Sequence, residues 1–270
     1  MSIVFMLNEP VQWVTHYFPG FSVYSLPLAG KPFVEHQLDR AARLGVTRAL
    51  ILDVSYDRRL AERLGDGSRW GLSLAYRPLP MGVSQQKAVD RNRDFLRGEE
   101  PKVVEGPEIF YHGEHIYLTS LRDYFELNFK IVVDPDECVL PGYSSDRGVV
   151  LGMNVQIRMG CVVTPPILLD DNVLIDYECQ LNGSVIICEG AILDRRCYLH
   201  RAIVFPETYV ARGVELENKI VVGSRVIDPL TGACVNLAGD VLSFDLNRRR
   251  KFTFLSHLAR FFKSLLKPLT

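Results

Sequence analysis

With 270 residues, 47% hydrophobic and 23% charged, the chain can bury one large core or two modest ones. A formal net charge of −1 gives no global field to steer it to nucleic acid or acidic substrates, and no nucleic-acid partner is expected. The balance hides an asymmetry: Arg248, Arg249, Arg250, Lys251, Arg260, Lys263 and Lys267 put +7 after Asp245, where no acid follows, leaving −8 on the rest. The cysteines are Cys138, Cys161, Cys179, Cys188, Cys197 and Cys234, with no CxxC pair. That spacing argues against a zinc ribbon or redox motif, and the aliphatic surroundings suit reduced, buried thiols. The start of the chain lacks a basic region followed by a long apolar run, and no stretch has the roughly 20 apolar residues of a membrane span. A soluble, cytoplasmic protein is expected, apart from whatever its tail touches.

In chain order, residues 1–7 (MSIVFML) predict a buried strand. Residues 33–44 place Phe33, Leu38, Ala41, Ala42 and Leu44 toward one side of a helix, which Gly45 stops. Residues 49–54 predict a second strand, 58–64 a second helix and 72–76 a third strand. Strands alternating with helices argue a βαβαβ unit with a parallel sheet. Residues 81–106 read as polar and irregular, RNRDFLRGEEPK being a solvated helix and loop.

The run AGKPFVEHQLDRAARLGVTRALILDVSYDRRLAERLGDGSRWGLSLAY, residues 29–76, resembles the opening half of the sugar-1-phosphate nucleotidyltransferase family. The AGKP turn, the EH-containing helix, the GV turn, the strand and GDGSRWG all stand in register. Residues 116–133 resemble the helix that closes the family's core, with Asp123, Tyr124 and Asn128 as matching residues. The resemblance implies an enzyme that makes nucleotide-linked sugars from a sugar 1-phosphate and a nucleoside triphosphate with magnesium.

Departures from the family's pattern are as informative. The family's first strand runs into a glycine-rich loop whose backbone N–H groups hold phosphates, where a Cβ would block the ligand. Here LNEPVQW, residues 7–13, has no glycine or arginine, adds Glu9, and contains Pro10, which lacks a donor. Val23 stands at the family's lysine, and by spacing Tyr117 stands at a metal-binding aspartate, so charges needed at a developing pyrophosphate are missing. Under the reading that nucleotide still binds, Asn8, Gln12 and Lys31 would contact it. Glu114 is a weak stand-in for the other metal aspartate. HGEH offers His112 and His115 without a third ligand, so no metal site is expected.

From Leu151 the chain repeats in sixes: LGMNVQ, IRMGCV, VTPPIL, LDDNVL, IDYECQ, LNGSVI, ICEGAI, LDRRCY, LHRAIV, FPETYV. A large apolar residue opens each hexad, from Leu151 and Ile157 to Leu199 and Phe205. A small or β-branched one sits fourth after it, from Val155 and Cys161 to Ile203. The pattern resembles the hexapeptide-repeat left-handed β-helix, in which three hexads form one coil and coils must stack to bury their inner faces. Cys161, Cys179 and Cys197, one coil apart, should form an inward ladder of small apolar fillers. Such helices also serve acyltransferases, for which the outward His200 is the sole candidate base. Residues 214–237 read as an irregular final coil that caps the stack.

Residues 248–269 place Phe254, Leu255, Leu258, Phe261, Phe262, Leu265 and Leu266 at helical spacing between basic flanks. Arg248, Arg249, Arg250 and Lys251, with Phe254, Leu258, Phe261, Phe262 and Leu265, fit attachment to an anionic membrane surface or a partner protein.

The fold expected is a truncated nucleotidyltransferase-like α/β domain (1–145), a left-handed parallel β-helix (146–245) and a basic amphipathic helix (246–270). The expected function is a degenerate, non-catalytic scaffold or regulatory subunit, peripheral at the inner membrane and concerned with surface polysaccharide assembly. Fold-level analogy alone carries that last phrase. No cofactor is expected, magnesium and nucleoside triphosphate entering only if the enzyme is active. The alternatives are an active nucleotidyltransferase and a β-helix acyltransferase using His200. Exposed β-helix faces favour a homo-oligomer.

Overall fold

The computed structural model describes residues 1–145, 148–236 and 243–245. Four parallel strands form the first sheet, in the order Ser73–Pro78, Arg48–Asp53, Ser2–Leu7, Lys102–Glu105. Alternation divides their side chains between two cores. Ile3, Phe5, Leu7, Ala49 and Ile51 join Phe33, Val34, Leu38 and Ala41 of helix Phe33–Arg43. Val4, Met6, Leu50 and Leu52 pack with Leu79, Ala88 and Leu96 on the other face.

The fourth strand corrects the reading of residues 81–106. Helices Gln85–Asp90 and Arg93–Leu96 turn Ala88 and Leu96 onto the sheet, and Lys102–Glu105 then pairs with Ser2–Leu7. Buried Asn92 anchors them, accepting from Arg77 Nη1 at 2.6 Å and donating to the Ala88 carbonyl at 2.8 Å. Each helix spends so few apolar residues on the sheet that no periodicity rises above its charge. The closing helix is Leu121–Val133, capped by Ser120. It is shorter than the matching stretch 116–133, because Glu114–Tyr117 forms a hairpin with Glu108–Tyr111.

In the second half strands stack into coils. Val149–Leu151, Gln156–Ile157 and Val162–Thr164 each pair in parallel with the strand eighteen residues on, Ile157 facing Ile175 and Val163 facing Leu181. Three hexads thus complete one turn. The interior is apolar: Leu169, Val173, Ile175, Cys179, Leu181, Ile187 and Leu193 are wholly buried. Cys161, Cys179 and Cys197 occupy one column, each preceding a rung of the Val162–Gln180–Tyr198 ladder. The Cys179 and Cys197 thiols donate to the Asp194 and Ala211 carbonyls at 3.1 and 3.2 Å. All six cysteines are free.

The hexad register fails first at His200–Arg201, and a second residue is dropped one coil on at Glu217–Lys219, where Ala202 faces Lys219 and Asn218 takes φ +50°. Val185 faces Ala202, seventeen residues on, because a residue is dropped at His200–Arg201, where Arg201 takes φ +46°. Ala202 and Val204 therefore fill the interior, while Ile203 and Phe205 turn outward against the first half. Both phases of AIVF are apolar, so the sequence pattern could not show the slip. Nor are Leu151 and Ile157 buried as the pattern implies: at 37% and 44% exposure they lie in the first coil, with no coil beneath among the described residues.

The outward column Leu168, Ile186, Ile203, Ile220 belongs to the same core as the first half. Gly30 of the AGKP turn lies against it at φ +90°; a Cβ there would stand 2.8 Å from Pro141 Cγ and 2.9 Å from Leu168 Cδ2. Arg63 adds a polar tie, donating to Glu35 and to Glu189 of the coil at 2.8 Å each. After Glu215–Val222, strands Arg225–Ile227 and Cys234–Asn236 return antiparallel and close the stack. Ser243–Asp245 pairs antiparallel with Thr208–Val210. The expected basic helix, with Arg248, Arg249, Arg250, Lys251, Phe254, Leu258, Phe261, Phe262 and Leu265, lies outside the described residues.

Candidate functional site

In an open parallel sheet, ligands bind beyond the carboxyl ends of the strands, where strand order reverses. Here that point lies between Ser2–Leu7 and Lys102–Glu105. The segment leaving Leu7 is the one whose sequence departs from the family's phosphate loop. Its Asn8–Val11 stretch leads into helix Gln12–Tyr17, which has no side-chain cap and no acid in its first turn.

This segment is built for packing. Trp13 lies tilted over Tyr124 at 5.7 Å, and its Nε1 donates to the Leu118 carbonyl at 3.4 Å. Phe18 stacks on Phe205 of the coil, centroids 5.0 Å apart and planes 4° from parallel, and meets Tyr124 edge-on at 5.9 Å. Phe21 meets Phe205 edge-on at 5.7 Å. Tyr17 OH donates to the Gly232 carbonyl at 3.2 Å, and Arg225 Nη1 donates to the His16 and Tyr17 carbonyls at 3.4 and 3.3 Å. The position of a phosphate cradle is thus an aromatic joint between the sheet and the coil stack.

The residues that nucleotide binding would need are dispersed. Gln12 is exposed, and Asn8 is half-buried with its Oδ1 unpartnered. Lys31 is buried and paired to Asp39, whose other oxygen accepts from Trp70 Nε1 at 2.8 Å. Val23, at the family's lysine position, is a buried core residue. Tyr124, Asn128 and the AGKP turn do act together, but on the backbone. Asn128 Oδ1 accepts from Ala29 N at 2.8 Å, its Nδ2 donates to the Tyr124 carbonyl at 2.8 Å, and Tyr124 OH donates to the Pro27 carbonyl at 2.5 Å. Asp123 accepts from Ser120 Oγ and Thr119 Oγ1 at the helix start. These residues hold a turn in shape.

The sequence reading missed Asp53, which ends strand Arg48–Asp53 at this edge and is wholly buried. Ser22 Oγ and Tyr76 OH donate to its Oδ2 at 2.5 and 2.8 Å, and Ser55 N donates to Oδ1 at 2.8 Å. Burial outweighs these bonds and raises its pKa above the ordinary carboxylate value. With both oxygens engaged, Asp53 fastens Ser22 and the following turn across the edge. An acid closing the apolar run ALILD was the available signal. On the neighbouring helix, burial and then the Lys31 charge lower His36 to about 3, so it is neutral and donates Nε2–H to the Leu28 carbonyl at 2.8 Å.

His112 and His115 do not converge. His112 sits in the hairpin turn beside Asp134 at 3.2 Å, and His115 lies on the second strand paired to Glu108, which also accepts from Tyr117 OH at 2.7 Å. Glu114 is exposed on that hairpin. Among the described residues no group of three or more His, Cys, Asp or Glu is arranged to hold a metal. His200 is half-buried on the outer face of the coil stack, its Nδ1–H donating to the Asn182 carbonyl at 2.6 Å. No helix among the described residues is long and apolar enough to cross a membrane.

Sheet and helices make the first half an α/β domain, and in sequence the chain is similar to sugar-1-phosphate nucleotidyltransferases. No family model matches the chain. A glucose-1-phosphate thymidylyltransferase of Xanthomonas campestris pv. campestris (strain B100) is 33% identical over 98 residues, covering 35% of this chain and 32% of that protein. An N-acetylmuramate alpha-1-phosphate uridylyltransferase of Neisseria meningitidis serogroup B is 28% identical over 155 residues, 54% of this chain and 67% of that protein. The chain thus spans about a third of the thymidylyltransferase's length. A solved Bacillus anthracis structure described as a glucose-1-phosphate thymidylyltransferase aligns at TM-score 0.35 and 19% identity, over 42% of this chain and 47% of that one.

Proposed function

We propose that this is a non-catalytic nucleotidyltransferase-like protein whose α/β domain is retained as a scaffold. In this reading residues 146–245 form a left-handed hexapeptide-repeat β-helix, and residues 246–270 attach the protein to an anionic membrane surface. The observation that carries the proposal is the Gln12–Phe21 segment. In place of a glycine-rich loop stand Trp13, Tyr17, Phe18 and Phe21, each engaged with Tyr124, Phe205 or the closing strands. An active pocket needs free backbone donors and unpaired cations at the developing charge. Lys31, the cation nearest the motif in sequence, is paired and buried.

Sugar-nucleotide chemistry enters as analogy with the relatives: the scaffold would serve surface polysaccharide assembly at the inner face of a membrane. The test is calorimetric titration with nucleoside triphosphates, with and without magnesium. No heat is expected. Binding tighter than about 100 µM, roughly −5.5 kcal/mol, would overturn the reading and restore a nucleotidyltransferase. Attachment is tested by flotation with anionic vesicles, which reversal of Arg248, Arg249 and Arg250 to Glu should abolish.

A further inference from the structure

The first coil breaks the rule that governs the others. Leu169, Ile175 and Leu181 are wholly buried, yet Leu151 and Ile157 directly below the first two are 37% and 44% exposed, and Val163 is half-buried. Met153, Met159 and Val162 are exposed beside them at 67%, 82% and 53%. Among the described residues only one of the three sides is covered, where Tyr143–Ser145 pairs antiparallel with Val149–Leu151. Among the described residues, Gln156–Ile157 and Val162–Thr164 are edge strands, each paired only with the coil above. An edge of this kind presents unpaired N–H and C=O groups beside an open apolar interior.

Proteins that keep such edges apart place charge on them. Between Leu151 and Leu168 the only charged residue is Arg158. We propose that this open end is a two-fold interface with a second copy of the chain, coil end to coil end. An identical end supplies what is missing: two free strand edges, an apolar interior of the same outline, and almost no like charge to repel. Lipid could cover the apolar residues but would leave the edge N–H and C=O groups unsatisfied, which hydrocarbon does not tolerate. The chain's own basic tail is less suited. The last described residues before it, Ser243–Asp245, pair with Thr208–Val210 at the opposite end of the stack, and its charge has the sign of Arg158. This interface involves neither the carboxyl edge of the first sheet nor the tail, so it stands whether or not the domain binds nucleotide.

The experiment is sedimentation velocity of the full chain over a concentration series, with hydrogen exchange at the two extremes. The mass should double as concentration rises, and amides of Ile157 and Val163 should gain protection in step. Val162→Lys, an exposed edge position, should hold the mass at one copy, with circular dichroism unchanged; Met159→Lys gives a second reading should the first variant misfold. A single copy at all concentrations would overturn the proposal. So would a dimer indifferent to both substitutions, or edge protection independent of concentration, which is the signature of the tail folding over the end.

Discussion

Truncating Phe18 tests whether the substituted loop is a structural joint. Its ring is wholly buried, stacked on Phe205 at 5.0 Å and set against Tyr124 and Trp13 at 5.9 and 6.2 Å. Phe→Ala in a packed core costs about 3–5 kcal/mol, and loss of oriented ring pairs adds about 0.5–1.5 kcal/mol apiece. Because these contributions overlap, Phe18→Ala should cost about 4 kcal/mol, roughly a thousandfold in the ratio of folded to unfolded protein. Urea unfolding reads this as a lower midpoint at unchanged slope. A double-mutant cycle with Phe205→Ala should return a coupling of about 1 kcal/mol, since the two rings touch across the join. A Phe18→Ala cost below about 1 kcal/mol would refute the reasoning: the segment could then leave the coil without consequence, and its aromatics would need another explanation.

Further predictions concern the AGKP turn and the coil. Gly30→Ala forces a Cβ toward Pro141 and Leu168 at φ +90°, and should cost about 2–4 kcal/mol by thermal denaturation, strain and overpacking together. Asn128→Leu strands the buried Ala29 N–H and should cost about 1–3 kcal/mol; an unchanged midpoint would show that the turn holds without it. Burial raises Asp170 to about 6, against the bond it accepts from Asp171 N–H and with smaller help from the Asp171 and Glu189 charges. Its folded pKa lies above its unfolded one, so the stability it contributes is present below about pH 4 and lost as pH rises through about 6. Asp170→Asn should therefore stabilise the protein by about 1–3 kcal/mol above pH 7 and be neutral below pH 4; a gain that does not vary with pH would contradict this origin.

The sequence by itself determined the strands at 1–7, 49–54 and 72–76, the helix after AGKP and the coils of three hexads. The strands are written as short apolar runs, the helix in a period of 3.6 and the coils in a period of six. Also legible was the absence of glycine and arginine from residues 7–13. What that segment does instead was not legible, because Phe18 and Phe205 are neighbours only through the packing of two halves far apart in the chain. The same limit hid the slip at His200–Arg201: alanine, isoleucine, valine and phenylalanine suit an inner or an outer face equally. Only the outward column of Leu168, Ile186 and Ile203, fitted to the first domain, decided which face each took. Asp53 was missed for a related reason. Its three donors come from three chain segments, and a buried acid is recognisable only once the groups that satisfy it have been brought to it.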